Sequence, residues 1–465
     1  MFKWTVKTEI YKKALLLAVP IMVQMGITNA VGLIDNLMVG SLGTESITAV
    51  SIAVQLIFVF NLGVFGAISG PGIYCAQYYG QKNKEGFWNV FRLKFWICCI
   101  VLAIALLVYN LFDTFFINLY LKGESSGIDK AVTLNLSLNY FKIMLWGLLP
   151  FTVTQIYASS LRETGESVKP MIAGISSVLI DVIFNYLLIF GKLGFPRLGV
   201  EGAAMATVLA RVVEMLVIVI WSYISKVKIE YITGALREIT IPVKEMMVVA
   251  KKSLPIFFNE FLWALSFVST FQCYSLKGLN VIAAMNIAGT LQNLVIVVII
   301  SMGSAVGILI GQQLGASEFD SAKEKALRLT RFTGFLGFIV TCMVISISGI
   351  FPTFFETTDS IRTMGRNFII INAICLPMHG ILNSLYFVLR SGGKTFITFL
   401  FDSVFSWIFM VPTAFVLCKF TDLPILSIFV LVNGLEIIKI IIGYILIKKG
   451  VWISNLVETT KLSNE

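Results

Sequence analysis

Residues 20–43, PIMVQMGITNAVGLIDNLMVGSLG from Pro20 to Gly43, decide how the chain is read. A helix needs roughly 20 mostly apolar residues to cross a bilayer, and this run supplies them. It also carries a carboxylate, Asp35, fifteen residues after its proline. A charge inside a span costs at least ~2.5 kcal/mol on insertion scales, so such a residue faces a cavity or a partner. The polar exit at 41–44 leaves Asp35 about two turns inside the helix. We therefore read it as an ion site rather than a helix end.

The rest of the composition agrees. Of 465 residues 57% are hydrophobic and 13% charged, with a mean hydropathy of +0.88, whereas a soluble domain carries about 25% charged residues. The chain reads as an all-α polytopic membrane protein. The net charge of +10 would suit nucleic acid, but in a membrane protein it follows from the excess of Lys and Arg in cytoplasmic loops, and no nucleic-acid partner is expected. Seven cysteines, at 75, 98, 99, 273, 342, 375 and 418, lie in or beside apolar runs without a CxxC or Cys/His spacing, so they read as small core residues. The basic start resembles a leader peptide. Gln24, Asn29 and Asp35, and the length of the run, make it a first span instead.

Apolar runs and polar breaks give twelve spans, from 14–38 through 132–160 and 254–276 to 423–447. Twenty-five of the 36 Lys and Arg fall in the N-terminal tail, the loops after even-numbered spans and the C-terminal tail. Lys122 is among the eight found after odd-numbered spans. Both termini are thus expected in the cytoplasm of a cell-membrane protein. A shift of 235 residues aligns Pro20 with Pro255, Gly43 with Gly278, Gln77 with Gln312 and Gly80 with Gly315. A shift of 228 brings Leu161, Arg162 and Gly165 onto Leu389, Arg390 and Gly393, and one of 222 brings Glu214 onto Glu436. Two halves of six spans share one orientation, which implies a pseudo-two-fold along the membrane normal, an architecture of secondary transporters. The expected parts are an N-terminal lobe (1–225), a basic cytoplasmic linker (226–253), a C-terminal lobe (254–448) and a cytoplasmic tail (449–465). Within the linker, the amphipathic stretch 241–252, IPVKEMMVVAKK, suggests a helix lying on lipid headgroups.

Four motifs together resemble one family: LIDNLMVGSLG ending span one, GVEGAAMAT opening span six, PIFFNEFLW in span seven and GQQLGA after span eight. The chain is similar to multidrug and toxic compound extrusion (MATE) transporters over nearly its whole length. The resemblance implies a twelve-helix, two-lobe antiporter that expels amphipathic organic cations and drugs in exchange for Na⁺ or H⁺. A monomer in the lipid bilayer is expected, with no cofactor beyond the coupling ion. It makes Pro20 the kinking proline, with Pro255 its repeat equivalent, and Asp35 the ion-binding aspartate of the N-terminal lobe. Many members then carry Asn-x-x-x-Asp in span five; this chain has Asp181-Val-Ile-Phe-Asn185, the same residue types in reversed order. Thr207 matches a threonine of that site, and Glu260 the glutamate of span seven. The family's span-ten carboxylate is missing; His379 lies in that span instead.

The residues themselves add a physical rationale. Spacing i, i+4 puts Asp181 and Asn185 on one helix face. A carboxyl group removed from water and placed near a second one binds protons more readily, while Na⁺ would take hard oxygen ligands from Asp35, Asp181, Asn185 and Thr207. The alternative is a hydrogen-bonded cluster that packs helices. Asp402, Gln55, Asn61 and Gln292 are candidates for a substrate cavity, where hydrogen bonds between helices explain them equally well. Glu214 with Arg211, and Glu436 with Lys439, read as ion pairs at spacing i, i+3, and His379 as a satisfied helix residue. Ser391-Gly-Gly-Lys-Thr395 lacks the earlier glycine of a phosphate loop, which removes an ATP-driven pump. A flippase for lipid-linked oligosaccharides has the same two-lobe plan but calls for a basic cavity. A membrane-embedded enzyme would need a catalytic cluster, and a channel would not need bent repeated helices.

Overall fold

Every long apolar run becomes helix, because a backbone in hydrocarbon has only itself to hydrogen-bond with. The computed structural model describes residues 2–121, 129–224 and 230–458. Lys122, Lys226, Lys228 and Lys461, used above for orientation, lie outside them, as do the junction at 225/226 and tail residues 459–465. In order, the helices are α1 (Phe2–Gly40), α2 (Thr44–Gly80), α3 (Lys84–Tyr120), α4 (Lys130–Trp146), α5 (Leu148–Glu163), α6 (Val168–Phe190), α7 (Val200–Ile224) and α8 (Glu230–Thr233). They continue with α9 (Val243–Ser275), α10 (Leu279–Gly315), α11 (Phe319–Ile347), α12 (Asp359–Ser391), α13 (Thr395–Phe399), α14 (Val411–Phe420), α15 (Ile425–Gly434) and α16 (Glu436–Lys449). Two π-helical stretches, Leu400–Val404 and Ser406–Met410, carry α13 into α14. Among the described residues eleven helices are long and apolar enough to cross a membrane, and α4 with α5, bent by 45°, makes the twelfth. No described residue is in a strand.

Sequence chemistry accounts for the breaks. Pro150 has no N–H for the carbonyl of Trp146, and its ring crowds that turn, so α4 ends at Trp146 and α5 starts anew after Gly147. Arg211 donates from Nη1 to the Gly147 carbonyl at 3.3 Å and lies 5.1 Å from the Phe151 ring. Asp129 caps α4, its Oδ1 accepting from the N–H groups of Ala131 and Val132 at 2.9 and 3.2 Å, the usual use of an aspartate at a helix start.

The chain divides into two compact units, one of residues 23–72 with 84–246, the other of 1–22, 73–83 and 247–465. In α1 the changeover falls two residues past Pro20, and in α2 directly after Pro71 and Gly72. Pro20 and Pro255 both lie within continuous helices. In the first unit the linker is a docked segment: Arg92 donates to the carbonyls of Ala235 and Thr240 at 2.6 and 3.2 Å, and Trp96 to that of Ile239 at 3.2 Å. The stretch 241–252 is not a separate helix on headgroups, because α9 begins at Val243 and runs through it into the seventh span. The described part of the tail is likewise folded, with Trp452, Leu456 and Val457 buried in the second unit.

The internal repeat is written in the backbone. Gly43 and Gly278 have φ of 119° and 121°, Lys82 and Ser317 of 60° and 59°, and Gly165 and Gly393 of 91° and 70°. The turns after α2 and α10 repeat bond for bond: Gln81 N–H to Gln77, Lys82 to Tyr79 and Asn83 to Tyr78, then Ala316 to Gln312, Ser317 to Leu314 and Glu318 to Gln313. Within the second unit these two helix ends cross so closely that only glycine fits. A Cβ on Gly80 would lie 1.8 Å from the Gln312 carbonyl oxygen, and one on Gly315 would lie 1.9 Å from that of Gln77.

This crossing yields a stability prediction. Gly315→Ala should cost about 1–3 kcal/mol or more, because the clash is with backbone. Gly289→Ala, on the same helix with nothing within 4 Å, should be neutral or stabilising by up to about 1 kcal/mol. Thermal unfolding of the two purified variants checks the contrast.

Candidate functional site

The first unit's site begins with small residues. Gly202 lets α7 approach α6 until a Cβ there would lie 2.7 Å from the Leu188 carbonyl, and Ala203, Ala204 and Ala206 are buried along the same helix. Close approach through small residues is the ordinary way helices associate in a bilayer. It sets Thr207 of α7 beside Asp181 of α6, and Asp35 of α1 completes the group.

Asn185 donates from Nδ2 to Asp35 Oδ1 at 2.8 Å. The Asp181 carboxyl lies close to Asp35 and Thr207, with Arg211 within electrostatic reach, and Tyr140 of α4 lies beside Thr207. Thr207 Oγ1 spends its proton on the Ala203 carbonyl at 3.1 Å, which leaves its lone pairs for another partner. Asp181 and Asn185 are 8% and 1% exposed, while Asp35 is half-buried. Asp181 Oδ1 and Asn185 Oδ1 are buried without a hydrogen-bond donor, a condition that costs roughly 1–3 kcal/mol per group. The cluster is thus rich in oxygen acceptors and short of donors, which is the chemistry of a site for a proton or a hard cation. Residues Asp35, Asp181, Asn185 and Thr207 are the ones that fit such an ion.

The second unit holds a different arrangement. Arg390 Nη1 stands 3.7 Å from Glu260 Oε1, which also accepts from the Tyr386 hydroxyl at 3.2 Å. Asn259 Nδ2 lies 3.2 Å from both the Tyr386 oxygen and Asp402 Oδ2. Lys439 Nζ donates to Asp402 Oδ1 at 2.9 Å, with the rings of Phe401 and Phe405 5.7 and 5.8 Å away. His379 Nε2 is 3.1 Å from Glu436 Oε2. Each carboxylate here faces a base of its own.

The MatE family model matches twice, over residues 20–187 and 255–416. The chain belongs to the MatE family. The two matches begin 235 residues apart, at Pro20 and Pro255, the shift that aligns the two halves. Similar proteins include the probable multidrug resistance protein YoeA of Bacillus subtilis (strain 168), 25% identical over 434 residues covering 91% of this chain and 90% of that one. The probable multidrug resistance protein NorM of Thermotoga maritima is 23% identical over 435 residues, covering 90% and 88%. Among solved structures, the outward-facing conformation of a multidrug resistance MATE family transporter of the MOP superfamily superposes with a TM-score of 0.81 at 20% identity, covering 95% and 96%. The Vibrio cholerae MATE transporter VcmN in the bent form gives 0.83 at 17% identity, covering 96% and 98%.

In this MatE protein the remaining candidates are dispersed. Gln55 is exposed on α2, and Asn61 and Gln292 are half-buried on α2 and α10. Lys439 does not pair with Glu436 one turn away; it crosses to Asp402 while Glu436 takes His379. Asp402 sits in the first π-helical stretch, a feature that often marks functional positions because it turns side chains out of α-helical register. Glu214 lies within electrostatic reach of both Arg211 and Arg162. Sequence reasoning passed over Asn259, Tyr386 and Arg390 as a group. The shift of 235 was the available signal for the first, since it puts Asn259 opposite Gln24, which bonds Arg162 at 2.8 Å.

The Asp402–Lys439 pair can be tested by charge. Its side chains are 15% and 3% exposed, so removing either partner leaves a buried charge, at a cost of about 3–5 kcal/mol. Asp402→Asn and Lys439→Met should each lower the melting temperature, and the double variant should regain most of the loss.

Proposed function

We propose that this chain is a secondary active multidrug efflux transporter, exporting amphipathic, often cationic organic compounds in antiport with Na⁺ or H⁺. The relatives' names support multidrug transport. One observation supports the coupling: two interior carboxylates, Asp35 and Asp181, share a cluster in which the direct partner is an amide, Asn185. A proton on one carboxyl removes their repulsion and supplies the missing donor. Sodium instead takes oxygens from Asp35, Asp181, Asn185 and Thr207. Either ion stabilises the cluster with α1 drawn to α6 and α7, whereas the empty, negative cluster favours an organic cation. Antiport follows when ion and substrate each favour a different conformational state. Pro20 and Pro255 are the natural points for α1 and α9 to bend.

Glu260 and Asp402 already face Arg390 and Lys439, which concentrates coupling at Asp35 and Asp181. The same pairing speaks against a flippase, whose pyrophosphate would require cations not committed to carboxylates. The distribution of Lys and Arg supports a cell-membrane protein with both termini in the cytoplasm.

Transport into inverted vesicles, with Na⁺ and pH gradients imposed separately, tests the reading. Asp35→Asn and Asp181→Asn should each reduce drug transport by roughly 5–150-fold, the range of an ordinary coupling free energy, at unchanged abundance in the membrane. Full transport by Asp35→Asn would refute the assignment.

A further inference from the structure

The pair of glycines in Ser391-Gly392-Gly393 belongs to no phosphate site, yet the structure gives each a reason. A Cβ on Gly392 would lie 1.7 Å from the carbonyl oxygen of Trp452, and one on Gly393 would lie 2.3 Å from the Leu456 side chain. The chain after α16 therefore turns back and beds into the end of α12. Trp452 is fully buried in the core cluster shared by Ala14 and Leu17 of α1, Leu314 of α10 and Leu389 of α12.

Its polar contacts converge on one side chain. Gln77, at the end of α2, has no exposed surface. Its Nε2 donates to the carbonyls of Ser391 and Ser454 at 2.9 and 3.3 Å, and its Oε1 accepts from the N–H of Leu456 at 2.8 Å. Asn455 reaches Ser317, beyond the end of α10, at 3.0 Å. One short segment thus holds α2, α10 and α12 where α2 and α10 cross through Gly80 and Gly315. The turns at the crossing repeat between the two halves, and the segment follows the last helix of the second.

We propose that residues 450–458 form a latch that locks the ends of α2 and α10 together and must be released whenever they part. The proposal rests on the antiporter reading above, in which the cavity opens to each side of the membrane in turn (alternating access), because only a transporter that opens at this end needs a releasable lock. Hydrogen bonds to Gln77 and a single buried indole suit that task, since both break together when the segment lifts. Without the latch the crossing is held by its own contacts alone, and the state open at this end gains population.

Ala76 and Gly311 report on the crossing directly, because a Cβ on Gly311 would stand 3.1 Å from that of Ala76, near the usual disulfide spacing of about 3.5–4.5 Å. In a Cys75→Ala chain carrying Ala76→Cys and Gly311→Cys, oxidation of membranes should cross-link rapidly. Ending the chain at Gly450 should slow the cross-link about fivefold, as a population shift of this kind would. Gly392→Ala should do the same by evicting Trp452 without altering the segment. Unchanged rates in both variants overturn the latch, and so does aggregation of both, which would make the segment part of the folded core. If the oxidised parent still exports drug at full rate, the alternating-access reading fails while the cross-linking rates continue to measure the latch.

Discussion

A charge carried into hydrocarbon must be answered from inside the protein, and this constraint shapes the molecule more than any other. Lys94 and Glu163 meet it as a buried pair at 2.5 Å, with the hydroxyls of Ser159 and Ser160 at 3.2 and 3.3 Å. Asp402 meets it with Lys439, and Glu260 with Arg390. Asp35 and Asp181 meet it with an amide, a hydroxyl and each other, and Arg211 is within electrostatic reach of Asp181. Glu163, Asp402 and Glu260 face a base at 2.5, 2.9 and 3.7 Å, whereas Asp35 faces an amide at 2.8 Å.

The same economy governs the backbone. Helices in a bilayer gain little from apolar contact, because lipid tails are as apolar as leucine, so close packing of small residues decides who neighbours whom. Gly202 against Leu188 fixes α7 on α6, and thereby the distance from Thr207 to Asp181. Gly80 and Gly315 fix the crossing of α2 and α10. The Asp35–Asp181 cluster and the crossing are thus consequences of where the chain lacks a Cβ.

Much of the candidate site was legible in the sequence. Asp35 announces itself by being charged within an apolar run, and Asp181 and Asn185 by sharing a helix face at spacing i, i+4. The second unit was read less well. Glu436 and Lys439 are one turn apart, which suggested a local pair, but His379 and Asp402 on other elements compete for them and win. In a densely packed interior the partner that lies across the interface is held at fixed distance, whereas two neighbours on one helix must bend toward each other to meet.

Taken alone, the sequence determined the membrane setting, the helical class, the number of spans, the repeat of 235 residues and the two aspartates, because hydropathy, period and charge are local properties that no packing can alter. Only the tertiary structure decided that the linker docks on α3, that stretch 241–252 begins α9, and that the last residues close over Gln77. Those outcomes depend on contacts between positions hundreds of residues apart, such as Gln77 and Leu456, and a pairing of that kind leaves no periodicity in the chain that forms it.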